Sequence, residues 1–177
     1  MAKIAFSKLG LTKDKLDEFQ TVEFNDQTVE VKQYLPIAEK AELISRVLNN
    51  SVDDDAGYYN NLKLDMWLAL EIVYAYSNIN FTEKQKSDPM KLYDLLSSNK
   101  LLNLIIGLVP ESEFYYLTKV THELATAIYT YRNSALGILD SIGRDYSNLN
   151  LDATEIQKKL ADPENLTLLK NVVEKLG

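Results

Sequence analysis

Histidine occurs once in this chain, at His122, and cysteine does not occur at all. A catalytic base needs an orienting partner within hydrogen-bond reach, and a metal site needs two or three further ligands. His122 has Thr118 and Thr126 at its i−4 and i+4 positions, so no carboxylate meets it along a helix. Zinc and thiolate chemistry are not expected. Asp53, Asp54 and Asp55, with Ala56 and Gly57 after them, resemble the start of a calcium loop. Counting from Asp53, the glycine falls fifth instead of sixth, and the twelfth residue is Leu64 instead of glutamate. The run reads as a solvated loop that repels itself. Glu71 lies inside a strongly apolar stretch, where a buried carboxylate can act as general acid or base. It has no second carboxylate at helical spacing, and a basic partner or a groove is its expected setting. No GxSxG elbow and no glycine-rich phosphate loop occurs. The expectation is no catalytic residue, no cofactor and no metal.

Composition narrows the function classes further. The formal charge is −7, from 19 basic and 26 acidic residues, which argues against a general binder of phosphate backbones. No run of eighteen apolar residues is present, so no membrane span is expected, and the start of the chain lacks the apolar run of a signal peptide. Absence of cysteine fits the cytoplasm. A chain of 177 residues suggests one domain with a real core.

The elements that would carry these residues are mostly helical. Pro110 to Tyr146 is the longest helical pattern: Phe114, Leu117, Val120, Leu124, Ile128, Tyr131, Ala135, Ile138, Ile142 and Tyr146 recur at steps of three and four. A helix that long would span about 50 Å. Gly137 and Gly143 weaken its last turns, where a bend or a close neighbour is expected. Residues 1–35 form a small β element, with Lys3–Phe6 as a short strand and a hairpin of Phe19–Phe24 and Gln27–Tyr34 around Asn25-Asp26. Residues 36–177 form the helical domain, and the two parts make one cooperative unit. Pro36 opens a helix with Ile37, Ala41, Ile44 and Leu48 on one side. Leu62–Ser77 is apolar on most of its circumference and should be the central buried helix. Thr82 caps a short turn, Asp88-Pro89 starts a helix to about Ser98, and Leu101–Leu108 is another. Beyond Tyr146, Leu149 and Leu151 alternate in a linker before two short helices that begin near Asp152 and Asp162.

Two features suit a protein partner. Eleven tyrosines come partly in adjacent pairs that cannot all face one core, so several should be exposed. The hairpin edge could accept another strand, from a partner or from the Leu149–Leu151 linker. The partner-binding candidates are Val29, Val31, Tyr115, Tyr116 and Tyr129.

Several runs taken together resemble a family of small proteins of tailed bacteriophages and prophages of Gram-positive bacteria. They are Ala2-Lys-Ile-Ala-Phe-Ser-Lys-Leu-Gly10, Val31-Lys-Gln-Tyr-Leu-Pro36, Asn80-Phe-Thr-Glu-Lys-Gln-Lys86, Asp88-Pro-Met-Lys-Leu-Tyr-Asp94 and Asp145-Tyr-Ser-Asn-Leu-Asn-Leu-Asp-Ala-Thr154. A small β element followed by helices is also similar to tail assembly chaperones, at the level of fold. The resemblance implies a non-enzymatic morphogenesis protein. Its partners would be other phage structural proteins, with self-association as a further option and neither membrane nor nucleic acid bound directly. It would act in the host cytoplasm during assembly and could remain in the virion. The alternative is an acidic counter-defence protein that inhibits a host nuclease or another nucleic-acid-binding defence protein.

Overall fold

The computed structural model describes residues 3–12, 14–52 and 59–137. The chain divides into two compact units, Met1–Tyr129 and Thr130–Gly177. It is mainly helical, with one two-stranded antiparallel hairpin near its N-terminus. The Asp53–Asp55 loop, Tyr58, and the linker and helices expected beyond Tyr146 lie outside the described residues.

The hairpin pairs β1 (Phe19–Phe24) with β2 (Gln27–Lys32) in the register Val22↔Val29 and Gln20↔Val31. Its turn residues Asn25 and Asp26 both have positive φ, 49° and 60°. That is the twist a two-residue hairpin requires, and Asn and Asp tolerate it without glycine. The inner face carries Val22, Phe24, Val29 and Val31, and these pack on the helices. The short strand expected at Lys3–Phe6 is not formed. Residues 3–5 join no strand among the described residues, and Phe6–Leu9 is a 3-10 turn closed by Gly10 at φ 62°. Ile4 and Phe6 alternate as a strand would, but among the described residues no sheet edge receives them, so the ladder that would hold them extended is missing.

Helix α1 (Ile37–Ser51) buries Leu43, Ile44, Val47 and Leu48. Its inward line is turned from the expected one, since Ile37 is 65% exposed and Ala41 is exposed too. Helix α2 (Asn61–Tyr76) is the central buried helix, with Leu64, Leu68, Leu70, Ile72, Val73 and Tyr76 almost fully inside. Apolar residues around most of a helix leave it no wet face, which dictates that position. Asn60 caps it: the side-chain oxygen accepts from the amides of Leu62 at 3.0 Å and Lys63 at 3.2 Å.

Thr82 and Gln85 form a reciprocal capping box on the short helix α3 (Glu83–Lys86). Asp88 caps α4 (Pro89–Ser98), with proline at its first position. Helix α5 (Leu101–Leu108) follows, and Val109 takes extended backbone ahead of Pro110.

The long helix is α6 (Glu111–Arg132), 22 residues. Its buried line is Glu113, Leu117, Thr121 and Ala125, one step off the expected stripe, and Leu124 and Tyr131 stay exposed. The helix stops at Asn133–Ser134, where the Ser134 hydroxyl donates to the Tyr131 carbonyl at 2.6 Å and accepts from the Gly137 amide at 3.1 Å. A side chain that competes for the backbone in this way breaks the ladder. Gly137 is the close neighbour: a Cβ there would strike the Tyr131 carbonyl.

Candidate functional site

Charged groups at core positions of α1 and α6 meet in one buried cluster. Glu113 accepts from Lys40 Nζ at 2.7 Å, from the Tyr76 hydroxyl at 2.8 Å and from the Leu35 amide at 3.2 Å. Lys40 and Glu113 are only 6% and 9% exposed. The Lys40 ammonium also lies 4.3 Å from the Tyr34 ring centre and 5.4 Å from that of Tyr116. Burial, the hydrogen bond to Glu113 and the charge of Glu113 push the Tyr76 phenol well above its ordinary range. An ion pair this deep is satisfied on several sides and fixes how α1, α2 and α6 meet. The signal available in the sequence was a lysine in register with Leu43 and Val47 and a glutamate in register with Leu117.

Glu71 is 4% exposed and accepts from Arg46 Nε at 2.8 Å, so its partner is basic, as its setting suggested. Beside it Tyr74 is raised above the usual phenol range, first by burial and then by the Glu71 charge. His122 acquires from α2 the carboxylate that its own helix lacks: Asp65 Oδ1 stands 3.0 Å from Nε2. Both side chains are substantially in solvent, at 40% and 64%. His122 lines an open pocket together with Tyr59, Asn61, Leu64, Ala125, Thr126 and Tyr129. The Thr126 hydroxyl donates to the His122 carbonyl at 2.8 Å, so it is not directed at the imidazole. Among the described residues no three His, Asp or Glu side chains cluster closely enough to hold a metal ion.

The partner-binding candidates scatter. Val29 and Val31 are 5% and 0% exposed and belong to the core, so they do not present a binding face. This corrects their assignment: the apolar side of a half-covered hairpin turns to the helices, where it leaves water. The outer edge of β2 is taken within the chain. The Asn78 amide donates to the Glu30 carbonyl at 3.2 Å, its side-chain oxygen accepts from the Glu30 amide at 3.1 Å, and Val31 bridges to Ser77. Residues 77–78, just past α2, do what the Leu149–Leu151 linker was expected to do. Tyr115, Tyr116 and Tyr129 are all exposed. Thirteen residues separate Tyr116 from Tyr129, which at 100° per residue puts them on well-separated sides of α6 and about 20 Å apart. Tyr116 lines a groove with Ile37, Ala41, Val120 and Leu124, while Tyr129 lines the His122 pocket.

The surface that sequence reasoning missed lies at the N-terminal side. Ile4, Phe6, Leu9 and Leu11 are 73%, 75%, 53% and 69% exposed, and Leu16 and Phe19 are exposed as well. Scattered exposed apolar residues are ordinary, whereas six within sixteen positions form a sticky segment. A second apolar surface runs between α2 and α4, with Leu62 and Met90 at its rim. No described helix is long and apolar enough to cross a membrane. Comparison of the chain with protein families, with curated proteins and with solved structures returns no match.

Proposed function

We propose that this chain is a non-enzymatic bacteriophage morphogenesis protein that works by binding other structural proteins of the particle. The observation that carries this reading is the apolar N-terminal segment, whose large side chains are left in water by the fold that follows it. Exposed apolar surface of this kind is released from water by association. The acidic balance of the chain, −7 overall, keeps the free protein soluble and discourages acidic partners. The resemblance of the five runs to phage proteins supplies the setting, host cytoplasm during assembly and then the particle.

A tagged full-length chain co-expressed with the head and tail proteins of its phage tests this. The expected result is a stoichiometric complex with one of them, weakened by Phe6→Ser combined with Leu9→Ser. Capture of no phage structural protein, together with block of a host nuclease in vitro, would replace this reading with the counter-defence one.

A further inference from the structure

Strand β1 leaves one edge of the hairpin open. The two-residue turn makes Phe24 and Gln27 a hydrogen-bonded pair, and the alternation of an antiparallel ladder does the same for Val22 with Val29 and Gln20 with Val31. The amides and carbonyls of Phe19, Thr21 and Glu23 therefore point away from β2. On β2 the corresponding outward groups of Glu30 are both taken by Asn78. On β1 no hydrogen bond among the described residues reaches the backbone of Phe19, Thr21 or Glu23 from outside, and all three residues are exposed. Exposed edges are commonly blunted by lysine, proline or a bulge. Strand β1 has none of these, and its register with β2 runs without interruption.

We infer that β1 of one copy pairs antiparallel with β1 of a second copy, about a two-fold axis through Thr21. In that register Thr21 faces Thr21 and Phe19 faces Glu23, twice over, so every outward amide and carbonyl of the strand is used. A slip of one residue would turn the apolar face of one strand to the wrong side, and a slip of two would set Phe19 or Glu23 opposite a residue outside the strand. The outward set is symmetric about Thr21, and that symmetry selects a second copy as the partner. The contact rests on backbone and not on charge, since Glu23 already accepts from the Thr28 hydroxyl and Lys32 is already met by Glu39. The register nevertheless keeps the two Glu23 residues about 14 Å apart along the strands, beyond a Debye length at ordinary salt. The pairing also closes. Ser77 and Asn78 occupy the far edge of each hairpin, so two two-stranded hairpins join into one sheet and the contact does not propagate to a third copy.

Sedimentation equilibrium of the purified full chain from about 1 to 500 µM should show a monomer–dimer equilibrium that does not weaken as salt rises, because two chains at −7 repel and salt screens that repulsion. Over the same range the amides of Phe19, Thr21 and Glu23 should gain protection from hydrogen exchange. Thr21→Pro removes the central donor, which its own hairpin does not use, and should weaken the dimer about tenfold or more. Thr21→Lys and Thr21→Glu each set like charges across the axis and should each weaken it, whereas an equimolar mixture of the two should associate more strongly than either alone. Circular dichroism would check that each variant is folded. A wild type monomeric at every concentration, an association indifferent to both Thr21→Pro and Thr21→Lys, or a mixture no stronger than its components would each overturn the proposal. Protection of the three amides only on adding a phage structural protein would overturn it too, by assigning the edge to that partner. The inference does not depend on the assembly reading: a monomeric chain that still captures a phage protein would leave that reading standing without this contact.

Discussion

Glu113 accepts three buried hydrogen bonds, from Lys40, Tyr76 and Leu35, and two consequences follow for its neighbours. Glu113→Gln leaves Lys40 buried opposite a neutral amide, and breaking a buried pair from one side costs about 3 kcal/mol or more. Lys40→Met added to Glu113→Gln removes the stranded charge while the amide oxygen can still accept from Tyr76 and from Leu35. The double variant should recover at least half of the loss in urea unfolding, and a single variant as stable as wild type would show that the pair is not desolvated. The second consequence concerns pH. Tyr76 has a folded-state pKa well above its unfolded value of 10.0, held there by burial and by Glu113. Below the unfolded pKa both states keep the proton and the phenol contributes its full stability. Above about pH 10 the unfolded chain releases a proton that the folded chain retains, so stability falls by up to about 1.4 kcal/mol per pH unit for this group. Tyr76→Phe should cost about 1–2 kcal/mol at pH 7 through the lost hydrogen bond. It should also make the decline between pH 10 and 11.5 shallower, and an unchanged slope would show that Tyr76 does not govern alkaline unfolding.

The elements owe their ends to single side chains. Asn60 satisfies two amides at the start of the most buried helix, and Asn60→Ala should lower stability by about 1 kcal/mol. The hairpin turn offers the converse case: Asp26 sits at φ 60°, which aspartate tolerates but glycine adopts at less cost. Asp26→Gly should therefore raise stability by about 0.5 kcal/mol, measured as a shift in urea midpoint at constant slope. A loss there would mean that Asp26 makes a contact worth more than the strain it carries. At the far end of α6 the Ser134 hydroxyl and Gly137 stop a helix whose apolar pattern continues. Hydrophobic period alone does not register that competition, because it counts side chains and not backbone donors.

At the scale of the whole molecule, the residues of the core and the proposed binding segment occupy different surfaces. Leu117 is 0% exposed, and Leu117→Ala should cost about 2–5 kcal/mol from lost burial and the cavity left behind. Phe6→Ser combined with Leu9→Ser should change unfolding of dilute protein by no more than about 0.5 kcal/mol, because neither residue is covered. If the pair of serines destabilised the dilute monomer as Leu117→Ala does, the segment would be part of the core and not a docking element.

Composition and local pattern by themselves determined much of this protein. They decided the helical class, the hairpin, the burial of α2 and the caps at Thr82 and Asp88. These follow from period and from backbone chemistry at helix ends, both of which act over a few residues. Tertiary structure alone decided the Lys40–Glu113–Tyr76 cluster, the Asp65 that meets His122, and the use of residues 77–78 to close β2. It also turned Val29 and Val31 inward and left the N-terminal segment in water. Those outcomes depend on which helix face meets which neighbour. A rotation of one position on a helix exchanges buried for exposed, and only the competition of all the packed faces sets it.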